Sequence, residues 1–198
     1  MPPKPEITRE KILSAACSLL AEQGMEAVTA RAVAQTLGCS TQPIYSACGG
    51  MDELRAAAYS AALARAGQAM RAGYDPRYNA PLNLGLGYLR LAAEEKQLFR
   101  ALFLSDWAGR MGSALMIGEE MLAAHAPDSS RLPYFSPEEL RWLYERLTEY
   151  LTGLGALVSA GLLQLDATQA AARITEIYEI LTESVLKKKG VRPYERNR

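Results

Sequence analysis

The sequence predicts an all-α fold, with an N-terminal three-helix head followed by a larger helical body. Three observations lead there. Apolar residues recur three and four positions apart, and no segment alternates with the period of two that a half-buried strand requires. Helix-start chemistry returns along the chain, most clearly at Thr29, at Ser136-Pro137-Glu138-Glu139 and at Asp166 with Gln169. Gly73, Asp75 and Pro76, with Pro81, form the strong break in the middle of the sequence. The expected organisation is an arm over 1–7, a head over 8–50, a linking helix over 51–72, a body over 73–189 and a polar tail over 190–198.

The elements follow in order. Pro2, Pro3 and Pro5 make the start a poor helix. From Thr8 to Gln23, Ile12, Ala16, Leu19 and Leu20 form one apolar stripe that needs a partner. Thr29 is an N-cap residue, and Ala32, Val33 and Leu37 give a buried face of about two turns. Gly38 falls where a left-handed C-cap is needed, and Ser40 offers a fresh N-cap two residues on. Pro43, in the first turn of the next helix, loses no intrahelical bond. Ile44 points inward while Thr41, Gln42, Tyr45 and Ser46 stay outside. A helix, a short turn with Gly and a second polar-faced helix form a helix-turn-helix, whose second helix fits a DNA major groove.

Asp52 and Glu53 then favour the start of a long helix through Leu54, Ala58, Ala61, Ala62 and Ala66 to about Met70, ended by Gly73, Tyr74, Asp75, Pro76 and Pro81. In the body, helices are expected from Leu82 to Ala93 and from Lys96 to Leu104. Phe99, Phe103 and Trp107 share a face at fourfold spacing. A looser helix through Met111, Leu115, Ile117 and Met121 reaches His125, softened by Gly109, Gly112 and Gly118. After a loop over 126–135, a capped helix carries Leu140, Leu143, Leu147, Leu151, Leu154 and Val158. The last carries Ile174, Ile177, Leu181 and Val185 before the polar residues from Lys187.

Composition narrows the function. The 198 residues hold 22 basic and 22 acidic side chains, so no strongly cationic coat surrounds the chain. No apolar run approaches the roughly 18 to 20 residues that span a bilayer, and the start is no signal peptide, so a cytoplasmic protein is expected. Cys17, Cys39 and Cys48 are an odd number at no metal spacing, as suits free thiols. Cys48 precedes Gly49, Gly50 and a helix N-terminus, where a dipole can lower a thiol pKa and open a redox role; the plainer reading is a small buried apolar residue. One histidine, no phosphate loop and no nucleophile elbow argue against an enzyme, a metal or a cofactor.

At Thr29, Ala34, Gly38 and Tyr45, with the flanking Thr8 to Gln23 helix and Met51-Asp52-Glu53-Leu54, the chain resembles the TetR-type bacterial transcriptional repressors. The resemblance covers roughly residues 6–66. It implies a homodimer on a palindromic operator, released when an organic effector fills the body. The chain has Ala47, Cys48 and Met51 where the family usually has a bulky or aromatic pair and a phosphate-gripping Lys. The head, with Lys4, Arg9, Lys11, Arg31 and Arg55 against Glu6, Glu10, Glu22, Glu26, Asp52 and Glu53, is not basic. A lower phosphate affinity follows.

The expected DNA-contacting set is Thr29, Arg31, Ser40, Thr41, Gln42, Tyr45 and Ser46. Phe99, Phe103, Trp107, Met111, Met116, His125 and Trp142 supply the apolar wall and polar groups of an effector cavity as a group, while each aromatic or Met taken alone reads first as core. Gly153, Ala156 and Ala160 leave flat patches where a second helix can approach, which with Leu151, Leu154, Ile177 and Leu181 suggests a four-helix dimer interface. The rival reading is a helical ligand- or partner-binding sensor with little DNA affinity.

Overall fold

The computed structural model describes residues 7–112, 120 and 134–190. Its α-helices are α1 (Arg9–Gln23), α2 (Ala30–Leu37), α3 (Gln42–Cys48), α4 (Met51–Arg71), α5 (Ala80–Glu94), α6 (Lys96–Phe103), α7 (Asp106–Met111), α8 (Pro137–Ser159) and α9 (Ala167–Lys188). A single 3-10 turn, Met25–Ala27, leads from α1 towards α2. No strand occurs among the described residues. The chain is all-α, as its periodicity predicts.

The head forms because α1 has one apolar stripe and two short helices to cover it. Thr8 accepts from the Lys11 N–H to open α1, and Gly24 at φ 87° closes it by donating to the Leu20 carbonyl. Ile12, Ala16 and Leu20 lose all exposure beneath α2, α3 and α4, whereas Leu19 is only half-buried. Burying a side chain of that size contributes about 1.5–3 kcal/mol. This stripe therefore fixes the head.

The linking helix α4 runs from the head into the body, packing on α1 at one end and on α5 and α6 further along. After it, residues 72–79 are pinned by Asn83. Its side chain accepts from the Asp75 N–H and donates to the carbonyls of Asp75, Tyr78 and Asn79. That leaves a buried amide fully used and sets the return angle of α5.

In the body, α5 lies against α4, α8 and α9, and α6 fits between α1, α4, α5 and α8. Both expected capping boxes are present. Glu139 N–H donates to Ser136 Oγ at 3.3 Å while Ser136 N–H donates to Glu139 Oε2 at 2.7 Å. Asp166 and Gln169 exchange the equivalent bonds at 2.8 and 3.2 Å. Arg100 of α6 donates to the Ser159 carbonyl at 2.6 Å, satisfying an end carbonyl of α8.

Two expectations change. The N-cap of α3 is Thr41, not Ser40, and Thr41 itself has an αR backbone and no side-chain cap bond. Phe99, Phe103 and Trp107 do not share one helical face. The helix stops at Phe103, Ser105 turns its hydroxyl back to the Ala101 carbonyl at 2.6 Å, and Trp107 starts anew on α7. The helix expected through Leu115, Ile117 and Met121 lies outside the described residues.

Candidate nucleic-acid interface

The turn between α2 and α3 is built from local chemistry. Thr29 Oγ1 accepts from the Ala32 N–H at 3.1 Å, which leaves its own hydroxyl hydrogen to donate elsewhere. Val33 and Ala34 anchor α2 in the core. Gly38 takes φ 64° and ψ 34°, with its N–H on the Gln35 carbonyl and the Cys39 N–H on the Ala34 carbonyl. This is the six-to-one closure that only a residue without Cβ makes cheaply. Arg55 of α4 donates from Nε to the Val28 carbonyl at 3.1 Å, tying the entry of α2 to the linking helix.

On α3, Ile44 is 1% and Cys48 4% exposed, one turn apart on the buried side. Thr41, Gln42, Tyr45 and Ser46 are all exposed, Tyr45 by 52%. Ser40 and Arg31 are exposed as well, and Thr29 is half-buried. Six of the seven predicted residues are thus open to solvent. A phenol with its ring half-covered and its hydroxyl in water can reach a phosphate oxygen, and the Gln42 amide at the helix start has the donor–acceptor pair that reads an adenine edge.

Charge around this face is sparse. The N-terminus of α4 carries Asp52 and Glu53, and the Glu53 carboxylate folds over Gly49, 2.5 Å from where a Cβ there would stand. That end of α4 is compensated by its own side chains. Met51 is half-buried against the core. The redox expectation for Cys48 changes too. Burial pushes its thiol up, with Arg9 opposing and Glu53 adding to the rise, so packing dominates any helix dipole.

The residues expected to line an effector cavity are scattered. Phe99 and Phe103 lie in the core, their rings 5.2 Å apart and each about as close to Tyr88, at 5.0 and 4.9 Å. A Cβ on Gly155 of α8 would come within 2.4 Å of the Phe99 ring. Trp107 instead faces α4, stacked on Tyr59 at 6.3 Å, with the Arg110 guanidinium 5.6 Å over its ring. Met111 and Trp142 are exposed at 39% and 36%. Met116 and His125 lie outside the described residues. Tyr59 and Tyr88, which sequence reasoning passed over, make the buried contacts of this region. Their signal was position: Tyr88 falls on the face of Leu84, Leu91 and Ala92, and Tyr59 follows Ala58 within the stripe of α4.

On α8 and α9, Leu151 and Leu154 are buried in the chain's own core. Gly153 and Ala160 are exposed, and Ala156, Ile177 and Leu181 are half-buried. Besides Trp142, the large apolar side chains left in water here are Leu157 at 44% and Ile180 at 56%, with Leu162 at 77% in the connection between the two helices. Among the described residues no group of His, Cys, Asp and Glu could hold a metal ion, and no helix is long and apolar enough to cross a membrane.

Residues 12–58 match the family model of bacterial regulatory proteins, tetR family. Solved structures share the fold along nearly the whole chain. A candidate TetR-family transcriptional regulator from Rhodococcus sp. superposes with a TM-score of 0.63 at 17% identity, over 88% of this chain and 98% of its own. A TetR from Streptomyces coelicolor gives 0.59 at 21% identity, over 94% and 100%. The fatty acid degradation regulator of Bacillus halodurans gives 0.55 at 16%, over 91% and 97%. No curated protein matches. Residues 12–58, from α1 into α4, thus resemble the tetR-family domain, and the fold that solved TetR-family regulators share continues through the body of this chain.

Proposed function

We propose that the protein works as a homodimer that binds a palindromic operator through α3 and its flanks and leaves it when a small organic effector occupies the body. The observation that carries this reading is the division of α3, with Ile44 and Cys48 locked into the core and Thr41, Gln42, Tyr45 and Ser46 all facing water. Such a helix holds a rigid polar edge ready for a groove. Thr29, Arg31 and Ser40 lie alongside as phosphate donors. The exposed Leu157 and Ile180 on α8 and α9, with Leu162 in the turn between them, support a second copy there, because a partner helix pair would take these large apolar side chains out of water. A two-fold through that face would place two α3 helices about 34–36 Å apart, one per successive major groove.

A gel shift against the DNA upstream of the protein's own reading frame, at low salt, tests the binding. Retention by the parent and its loss in Gln42→Ala are expected. No retention of any fragment would sink the operator reading and favour a ligand sensor, to which Asp52 and Glu53 at the start of α4 also incline. Sedimentation tests the dimer. The parent should be dimeric at micromolar concentration, and Leu157→Glu with Ile180→Glu should give a folded monomer. A monomeric parent overturns the arrangement.

A further inference from the structure

The start of α2 carries two of the expected DNA contacts, a half-buried Thr29 as its N-cap and an exposed Arg31 in its first turn. The residues before it form a string of tight turns. Ala27 N–H donates to the Gly24 carbonyl, Val28 N–H to that of Met25 and Thr29 N–H to that of Ala27. The hydrogen-bond ladder of α2 begins at the Thr29 carbonyl, which accepts from the Val33 N–H. The Val28 carbonyl therefore falls between turn and helix, on a residue with no exposure, where a polar oxygen needs a partner. Arg55 of α4 supplies one from a half-buried side chain, its Nε donating at 3.1 Å. Helix α2 packs on α1 and α3, and α4 packs on the same two helices. The Arg55 bond joins α4 directly to the residue that leads into α2.

We propose that Arg55 is a positioning residue for DNA binding: by fixing the Val28 carbonyl it holds the N-cap of α2, and with it Thr29 and Arg31, at a set place beside α3. The inference rests on the proposed function and adds to it a residue that touches no DNA. Val28 immediately precedes the N-cap, so the place where its carbonyl is held decides where the Thr29 hydroxyl stands. The apolar anchors are unequal along the helix-turn-helix. Val33 fixes the middle of α2, and Ile44 and Cys48 fix α3, but at the start of α2 the core takes only the methyl group of Ala30. A hydrogen bond there supplies what packing does not. Without it the start of α2 is ordered only when DNA binds, and each head loses affinity by the entropy of that ordering. What the Val28 carbonyl requires is an N–H at one place, and the charge of the guanidinium is incidental to it.

The test compares three replacements in the full chain. Arg55→Gln keeps an N–H at the place of Nε along the side chain and loses the charge. Arg55→Met puts a methyl group there, and Arg55→Lys a methylene, with its ammonium one atom further on. Against the DNA fragment upstream of the reading frame, affinity should fall about tenfold in Arg55→Met and Arg55→Lys and return most of the way in Arg55→Gln. The slope of log affinity against log salt should match the parent in all three. If Arg55→Lys keeps the affinity that Arg55→Gln loses, with the slope lower by about 0.9 per head in Arg55→Gln, Arg55 is a phosphate contact and the proposal is overturned. Parental affinity in Arg55→Met, or an Arg55→Gln as weak as Arg55→Met, overturns it as well. Amide hydrogen exchange separates positioning from general stability and needs no DNA. Over residues 28–33 it should rise about threefold to tenfold in Arg55→Met and Arg55→Lys and stay parental in Arg55→Gln, while residues 12–20 stay parental throughout. An equal rise over 12–20, or no rise over 28–33, refutes the role. Should the parent retain no fragment, the proposed function fails while the exchange rates still decide whether Arg55 holds α2.

Discussion

Gly87→Ala adds one carbon at the tightest point between α4 and α5. The new Cβ would meet the Met70 carbonyl oxygen at 2.0 Å, and the obstacle is backbone, which cannot rotate aside. The two helices must part by at least about 1 Å to bring that contact to a tolerable distance, and overpacking of this kind costs roughly 1–3 kcal/mol, here at the upper end. Replacing a helical Gly by Ala returns about 1 kcal/mol of propensity. A net loss of about 2 kcal/mol follows, or a melting temperature about 4–8 °C lower for a chain of this length. Two further glycines calibrate it. At Gly155 the neighbour is the Phe99 ring at 2.4 Å, a side chain able to yield slightly, so Gly155→Ala should lose about half as much. At Gly109 nothing lies within 4 Å, and Gly109→Ala should be neutral or gain up to about 1 kcal/mol. Urea denaturation at one fixed protomer concentration ranks the three. A Gly87→Ala protein as stable as its parent, or more stable than Gly155→Ala, would refute the close crossing.

Tyr45→Phe should weaken binding to all DNA sequences alike, whereas Gln42→Ala should change preference by about 1–3 kcal/mol at one base pair, checked by selection from randomised sites. Glu139 accepts a bond from Lys189 and from the Ser136 N–H, and these hold its carboxyl below the usual range. The stabilisation is present above the unfolded carboxylate pKa of about 4.3 and is lost as pH falls through the lower folded value, so Glu139→Gln should flatten part of the acid limb of a stability–pH curve. Cys48, raised by burial, should stay unmodified by peroxide in the folded protein, as mass spectrometry of the treated chain would show.

The head was legible because its signals are local. Thr29, Gly38 and Ile44 each act through the backbone within a few residues, and the structure places all three as read. Ser40 was misjudged since two hydroxyl residues precede α3 and sequence alone does not say which one the helix adopts. The capping boxes of α8 and α9 were visible for the same reason as Thr29. The body was harder, because its decisive contacts join residues distant in sequence. Tyr59 finds Leu102, Tyr88 finds Phe99 and Phe103, and Gly87 accepts Met70. Nothing in the spacing of Phe99, Phe103 and Trp107 announces that Ser105 bends back to end α6 between them. Leu151 and Leu154 matched an interface stripe as well as a core stripe, and only the path of α5 decides that they face inward.

The charge of the head bears on how its DNA affinity should respond to salt. Each phosphate neutralised by Lys or Arg releases a counterion, so the logarithm of affinity falls with that of salt at about 0.9 per phosphate. In residues 1–55 the cations are Lys4, Arg9, Lys11, Arg31 and Arg55. Arg55 is taken by the Val28 carbonyl, so at most four per head, or eight in the proposed dimer, can reach phosphate. The slope can then be no steeper than about 7. Arg9 and Lys11 flank Glu10, whose carboxyl is held ionised below its usual range, first by a backbone hydrogen bond and then by Thr8. If only Arg31 and one α1 cation per head reach phosphate, the slope is about 3–4. The remaining phosphate contacts would come from the hydroxyls of Thr29, Ser40 and Tyr45, which release no ion and keep their worth as salt rises. Titrations between 50 and 200 mM salt, about the range over which strongly basic heads lose most affinity, measure this. A slope steeper than 7 would mean that cations outside the head touch the DNA, and the contact surface drawn around α3 would then be too small.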